Sequence, residues 1–264
     1  MNPILKNAIK KSLRTFNLAL VNHAYFEYLE RTQIKPDDLK RIAALPGADI
    51  DRLLQLLPRS KAQLRQDLFV LSQLKFKENG YFVEFGATNG VSDSNTHLLE
   101  KEFGWTGILA EPARCWQEAL RRNRSGHVET RCVWSASDQT LTFNEVDVAA
   151  LSTIDTYSSQ DMHREARTNG NTYEVQTISL QDLLEKYAAP SEIDYLSVDT
   201  EGSEFEILSN FDFDRYRFKV ISCEHNFTPM RGKLHALLTS KGYVRTLQQV
   251  SSVDDWYVRE DLIG

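Results

Sequence analysis

Three groups of residues have the types and spacing to do chemistry. The first is Glu84-Phe85-Gly86-Ala87-Thr88-Asn89-Gly90, an acid near the end of an apolar run followed by glycines at a turn. Glycine is required where backbone takes a positive φ or approaches a ligand closely. The Gly-x-x-x-Gly spacing, with Thr88 between, differs from the GxGxxG of dinucleotide sites, so a nucleotide-like ligand without a pyrophosphate suits it better than NAD. The second is Glu111, which ends the run Gly107-Ile108-Leu109-Ala110 and precedes Pro112. A carboxylate at the tip of a second strand accepts hydrogen bonds from ribose hydroxyls, charge-assisted bonds worth roughly 1.5–3 kcal/mol each. The third joins Asp199, after the run 193–198, to Glu224-His225-Asn226, after the run 219–223. Strand ends of this kind project into the crevice where open α/β sheets bind ligands.

The elements that would position these groups can be read from apolar periodicity. Residues 1–75 carry helical spacing, divided into short helices by Pro36, Pro46-Gly47 and Pro58. From Gly80 short apolar runs alternate with helical patterns, the mark of a parallel sheet with crossover helices. The expected order is strand 81–85, helix 94–103, strand 105–110, helix 114–122 and strand 128–134, then an added hairpin from 140–146. Residues 151–173, rich in Ser, Thr and Asn, are expected as a loop or lid that holds Tyr157, Met162 and His163. Helix 180–187, strand 193–198, helix 204–210, strand 219–223, helix 230–240 and a closing strand pair at 243–247 and 256–258 follow. Two domains are expected, a helical region over 1–62 and a doubly wound α/β domain over 63–264. Glu201 and Glu204 read as first-turn helix acids, Trp116 as packing, and Cys115 and Cys132 as small buried residues. Asp212-Phe213-Asp214 reads as a turn.

The segments 81–87, 90–96, 104–112, 177–180 and Ile193-Asp194-Tyr195-Leu196-Ser197-Val198-Asp199-Thr200-Glu201-Gly202-Ser203-Glu204 together resemble the FkbM family of S-adenosylmethionine-dependent methyltransferases. The resemblance covers about residues 62–258 and implies a class I methyltransferase (Rossmann-like) fold with an N-terminal helical appendage. It implies that Glu84, Gly86, Ala87, Thr88 and Gly90 border the methionine part of the cofactor, with Ser94 and Asn95 either at its carboxylate or capping a helix. Glu111 would take the ribose, Ser137 and Asp138 would face adenine, and Asp199 would border the methyl group. Asp199, Glu224 and Asn226 are similar to the ligand sets of metal-dependent O-methyltransferases, and oxygen donors of this type suit Mg²⁺. In that arrangement Asp199, Glu224 and His225 are the catalytic candidates, with His225 as general base. The implied reaction is O-methylation of a sugar or glycan hydroxyl, in surface polysaccharide or secondary metabolite. A nucleotide-sugar transferase and a non-catalytic binding or assembly protein are the alternatives.

Composition agrees with these assignments. The 264 residues are 41% hydrophobic and 26% charged, and the formal charge of −6 speaks against wholesale nucleic-acid binding. Three cysteines without a CxxC pair support neither a disulfide framework nor a cysteine zinc site, so a reducing, cytoplasmic setting is expected. No apolar run reaches transmembrane length. Lys6, Lys10, Lys11 and Arg14 make the first 26 residues basic and acid-free, which points to docking on acidic partners or peripheral membrane contact.

Overall fold

The computed structural model describes residues 34–45, 49–146, 152–157, 165, 167–168 and 170–263. The basic N-terminal segment, Met162 and His163 lie outside them.

The run Tyr81–Phe85 forms the central strand β1, paired in parallel with β2 (Thr106–Ala110) on one side and with β8 (Glu192–Val198) on the other. Strand β3 (His127–Glu129) extends the sheet beyond β2, and β9 (Arg217–Glu224) extends it beyond β8. The sheet ends in β11 (Asp254–Arg259), antiparallel to β9, and β10 (Tyr243–Thr246), giving the order β10-β11-β9-β8-β1-β2-β3. Central strands are apolar throughout because both faces are covered: Val83, Phe85, Leu196 and Ile221 face one core, and Phe82, Leu109, Tyr195 and Val220 the other. The order reverses between β1 and β8, so a crevice opens at their C-terminal ends.

Helices follow the crossovers: α4 (His97–Phe103), α5 (Arg114–Asn123), α6 (Leu180–Lys186), α7 (Glu204–Ser209) and α8 (Met230–Ser240). Before the sheet come α1 (Pro36–Ala44), α2 (Ile50–Leu56) and α3 (Gln66–Gln73). Leu68, Phe69, Val70 and Leu71 of α3 are fully buried, and Phe69 stacks on Trp256 of β11 with ring centroids 4.7 Å apart. A helix apolar on every side must sit inside a core. Ile42, Leu53 and Leu56 of α1 and α2 belong to the same apolar cluster as sheet residues Phe82 and Trp256, so packing is continuous across the expected 62/63 boundary. No described helix is long and apolar enough to cross a membrane.

Two expected elements differ. The strand expected over 128–134 divides at Thr130 and Arg131: β3 stays in the main sheet, and β4 (Cys132–Trp134) joins a second sheet with order β4-β7-β5-β6. Arg131 closes back on Glu129 through its backbone and side chain, which bends the chain there. The expected loop 151–173 contains β6 (Thr153–Ile154) and the start of β7 (Asn171–Ser179), which pairs along its length with β5 (Thr140–Glu145). The polar residues Asn171 and Thr172 at the start of β7 are exposed strand residues, a pattern that imitates a loop.

Candidate active site

A cleft of about 370 Å³ lies over the C-terminal ends of β1, β2, β8 and β9, walled on the far side by the second sheet. Gly86, Thr88, Asn95, Glu111, Asp199, Glu224 and Asn226 line it, so the structure brings most of the candidates into one space.

The glycine turn is shaped by crowding. At Gly86 φ is +71°, and a Cβ would lie 2.1 Å from the Asp199 carbonyl oxygen. Gly90 has φ +77°, and its Cβ would strike Arg124 Cγ at 2.5 Å. Glu84 works behind this turn. It is 2% exposed and accepts hydrogen bonds from Ser94 Oγ (3.1 Å), Asn95 N (2.6 Å) and Thr96 Oγ1 (2.5 Å), with Arg124 Nη1 at 3.5 Å. Glu84, Ala87, Gly90 and Ser94, expected beside the ligand, are buried in the turn behind the cleft lining. Ser94, Asn95 and Thr96 are committed to Glu84, so α4 starts only at His97. Asn95 does reach the cleft. Its Nδ2 donates to Ser197 Oγ at 2.8 Å, while its buried Oδ1 has no hydrogen-bond partner.

Glu111 is 4% exposed and accepts from Thr88 N and Ala113 N, both at 2.8 Å. Burial pushes its carboxyl up to about 7, and the nearby Glu145 and Glu84 charges act in the same direction. Beyond it the wall is formed by Pro112, Trp116, Cys132, Val133 and Phe143. Trp116 thus faces the cleft, and its buried Nε1 has no partner. Cys115 beside it is exposed, against expectation. Ser137 and Asp138, expected at adenine, are outside the cleft lining: Ser137 Oγ donates to Asp182 and accepts from Ser179 N at the start of α6.

Opposite Glu111, one carboxylate oxygen from each of Asp199, Glu201 and Glu224 falls within 4.8 Å of the others. Burial pushes Asp199 and Glu224 well up from the ordinary carboxylate range, reinforced by repulsion within the group. Glu224 Oε2 is buried without a hydrogen-bond partner. Glu201 is bound by Arg167 Nη2 at 2.7 Å and by Asn226 Nδ2 at 3.2 Å. Glu201 is the member that sequence reasoning placed in a helix turn. Its signal was the Asp-x-Glu spacing past a strand end, whereas Glu204 accepts from Gly202 N at 2.9 Å and shapes that loop.

His225 is absent from the cleft lining. Successive strand residues point to opposite faces, so Glu224 facing the cleft turns its neighbour away. His225 Nδ1 accepts from Phe227 N at 3.0 Å, and Nε2 lies 3.8 Å from Asp255 Oδ1. Burial lowers its pKa. His225, the expected general base, thus stands outside the cleft lining, with its imidazole nitrogens toward Phe227 N and Asp255.

Gln63, Gln66, Asp93, Ser152, Ile154 and Val253 also line the cleft without having been singled out by sequence. Asp93 lies just past the glycine turn, whereas the others arrive from segments distant in the chain with nothing in their local pattern to mark them.

Among solved structures, similarity is found to a METTL16 MTase domain (13% identity, 76% of this chain and 69% of that chain covered, TM-score 0.37). It is also found to a mutant of MtNAS (14%, 84% and 69%, 0.37) and to a putative sarcosine dimethylglycine methyltransferase from Galdieria sulphuraria (12%, 81% and 76%, 0.32). These scores are low, and the fold assignment stands on the sheet order above and the family match below. No curated protein matches. The family model described as methyltransferase FkbM domain matches residues 84–245, more than half the chain and the whole span from the glycine turn to β10. With the glycine turn, Glu111 and the acid group meeting in one cleft at the switch point of a doubly wound sheet, the chain belongs to the FkbM methyltransferase family.

Proposed function

We propose that this methyltransferase moves the methyl group of S-adenosylmethionine to a hydroxyl of a sugar or glycan. The observation that carries the reading is the acid pair of half-buried Asp199 and buried Glu224, which line the same cleft as the Glu111 carboxylate. Bound S-adenosylmethionine supplies an activated methyl group on a sulfonium cation. Glu111 has lone pairs left for ribose hydroxyls after serving Thr88 and Ala113. The unpartnered Asn95 Oδ1 is an acceptor and suits an ammonium group better than a carboxylate. Trp116 and Phe143 offer apolar faces for a base.

At the other end, Asp199 accepts the proton of the acceptor hydroxyl as its oxygen becomes a nucleophile. Burial and the neighbouring carboxylates hold the Asp199 carboxyl well above the ordinary carboxylate range, which strengthens it as a proton acceptor. Alignment of the acceptor with the methyl carbon by the cleft walls contributes the rest.

A metal fits the same place. Three converging carboxylates and the orphaned Glu224 Oε2 form an oxygen donor set for Mg²⁺. Asp199, Glu201 and Glu224 would hold it, with Asn226, the other expected ligand, beside them: its amide nitrogen donates to Glu201, and its amide oxygen is the atom that could join the donor set. Such an ion would polarise the hydroxyl.

The lining carries Asp93, Glu111, Asp199, Glu201 and Glu224 and no lysine, arginine or histidine among the described residues. A cationic sulfonium suits that field, whereas the diphosphate of a nucleotide sugar would find no counter-charge, which disfavours the transferase alternative. The test is calorimetry with S-adenosylhomocysteine, followed by labelled methyl transfer to a panel of glycosides. Asp199→Asn is expected to lower turnover at least a hundredfold with cofactor affinity retained. Absence of S-adenosylhomocysteine binding by the native protein would sink the reading.

A further inference from the structure

One side of the cleft is built by residues outside the family match. The segment 60–66 is moulded around Arg65, which has φ +65° and sends its guanidinium to Ser60 O (3.1 Å), Ala62 O (3.3 Å) and Asp38 Oδ2 (2.8 Å). Ala62 then forms a β-bridge with Asp93, just past the glycine turn. This bridge sets Gln63 and Asp93 side by side at the cleft mouth, both exposed and both lining it. The Asp93 carboxylate has no ion pair, and the Gln63 amide no hydrogen bond, to any described residue. Inside the mouth Glu224 and Asn95 line the same cleft, and their buried Oε2 and Oδ1 atoms have no hydrogen-bond partner.

We infer that Gln63 and Asp93 are the specificity-determining rim for the acceptor, and that Asp93 selects hydroxyl compounds free of phosphate and carboxylate. The inference rests on the methyl-transfer reading and narrows its acceptor class. An acceptor entering over Asp93 meets one unpaired carboxylate at the rim and the Asp199 and Glu224 carboxyls at the floor; the Arg167 cation is already paired with Glu201, and no lysine, arginine or histidine belongs to the described lining. Like charge brought into a low-dielectric cleft is strongly disfavoured, and a discriminating site commonly works by such repulsion. Gln63, with donors and an acceptor on one amide, matches the donor and acceptor capacity of a sugar hydroxyl.

The test uses the full chain saturated with S-adenosylhomocysteine. Methyl α-D-glucopyranoside, D-glucosamine, D-glucuronate and glucose 1-phosphate are the probes, with binding read by saturation-transfer NMR. The native protein is expected to bind the neutral and amino sugars at least tenfold better than the two anions, a difference of about 1.4 kcal/mol. Asp93→Lys is expected to shrink that ratio at least tenfold, Asp93→Asn to shrink it partly, and Gln63→Ala to weaken the neutral sugar. S-adenosylhomocysteine affinity, measured first, separates this claim from the one it rests on. Anions bound as well as neutral sugars, a ratio unmoved by Asp93→Lys, or no probe bound by a protein that does bind S-adenosylhomocysteine would each overturn it.

Discussion

At the scale of single residues, the informative group is Glu111. Its carboxyl is pushed up to about 7 by burial, so it gains a proton as pH falls through neutrality. A protonated carboxyl is a poorer acceptor for two ribose hydroxyls, and S-adenosylhomocysteine affinity is expected to drop about tenfold from pH 8 to pH 6, the ratio of ionised fractions on either side of 7. Titration calorimetry at the two pH values checks this. Glu111→Gln should bind more weakly at pH 8 and lose the pH dependence. The linkage to folding has the opposite sense. A carboxyl whose folded value exceeds its unfolded one favours the folded state at low pH, and that contribution is lost as pH rises toward 7. His225 gives the contrasting case. It is held by Phe227 N, faces Asp255 and is outside the cleft lining, and His225→Asn is expected to keep turnover within tenfold of native when both are assayed well below the variant's unfolding temperature. The acid at the end of β9 was legible from its position after an apolar run. The orientation of its neighbour was not, because a one-residue step along a strand reverses the face and only the register with β8 and β11 assigns it.

At the scale of elements, the turn after β1 shows how little tolerance the site has. Gly86→Ala would combine a left-handed backbone, costing about 1–2 kcal/mol for a residue with a Cβ, with a 2.1 Å clash on the Asp199 carbonyl. Loss of at least tenfold in S-adenosylhomocysteine affinity together with a lower Tm is expected from calorimetry and thermal melts. Past the end of β9, Asn226 and Phe227 have φ +41° and +56°, strained values for non-glycine residues, and such strain collects at functional edges. The main strands and crossover helices were readable because burial on both faces leaves unbroken apolar runs. The second sheet was largely unreadable. β7 lies in a polar stretch, and its partners β4 and β5 are drawn from an expected continuation of β3 and an expected hairpin, so pairing, not propensity, makes it a strand.

At the scale of the whole molecule, the helices before β1 and the strand near the C-terminus complete the cleft together. Gln66 Nε2 donates to Asp254 Oδ2 at 2.7 Å, and its Oε1 accepts from Leu64 N at 2.9 Å. Gln66→Ala would leave a buried carboxylate oxygen short of a donor, at a cost of about 1–3 kcal/mol. A Tm lowered by several degrees is the expected result, and an unchanged melt would show that water replaces the amide. Magnesium offers a molecule-wide readout of the acid group. If Asp199, Glu201 and Glu224 hold the ion, millimolar Mg²⁺ should raise the Tm of the native protein and leave Glu224→Gln unmoved. The sequence by itself determined the order of strands and crossover helices, the glycine turn, and the carboxylates at strand ends, because each follows from local periodicity and from residue types that only one backbone or chemistry requires. Tertiary structure alone decided which of those acids share a cleft, that Glu201 joins them, that His225 and Ser137 stand outside, and that Gln63 and Asp93 form the mouth. These are contacts between residues far apart in the chain, set by sheet register and core packing, and no local pattern encodes them.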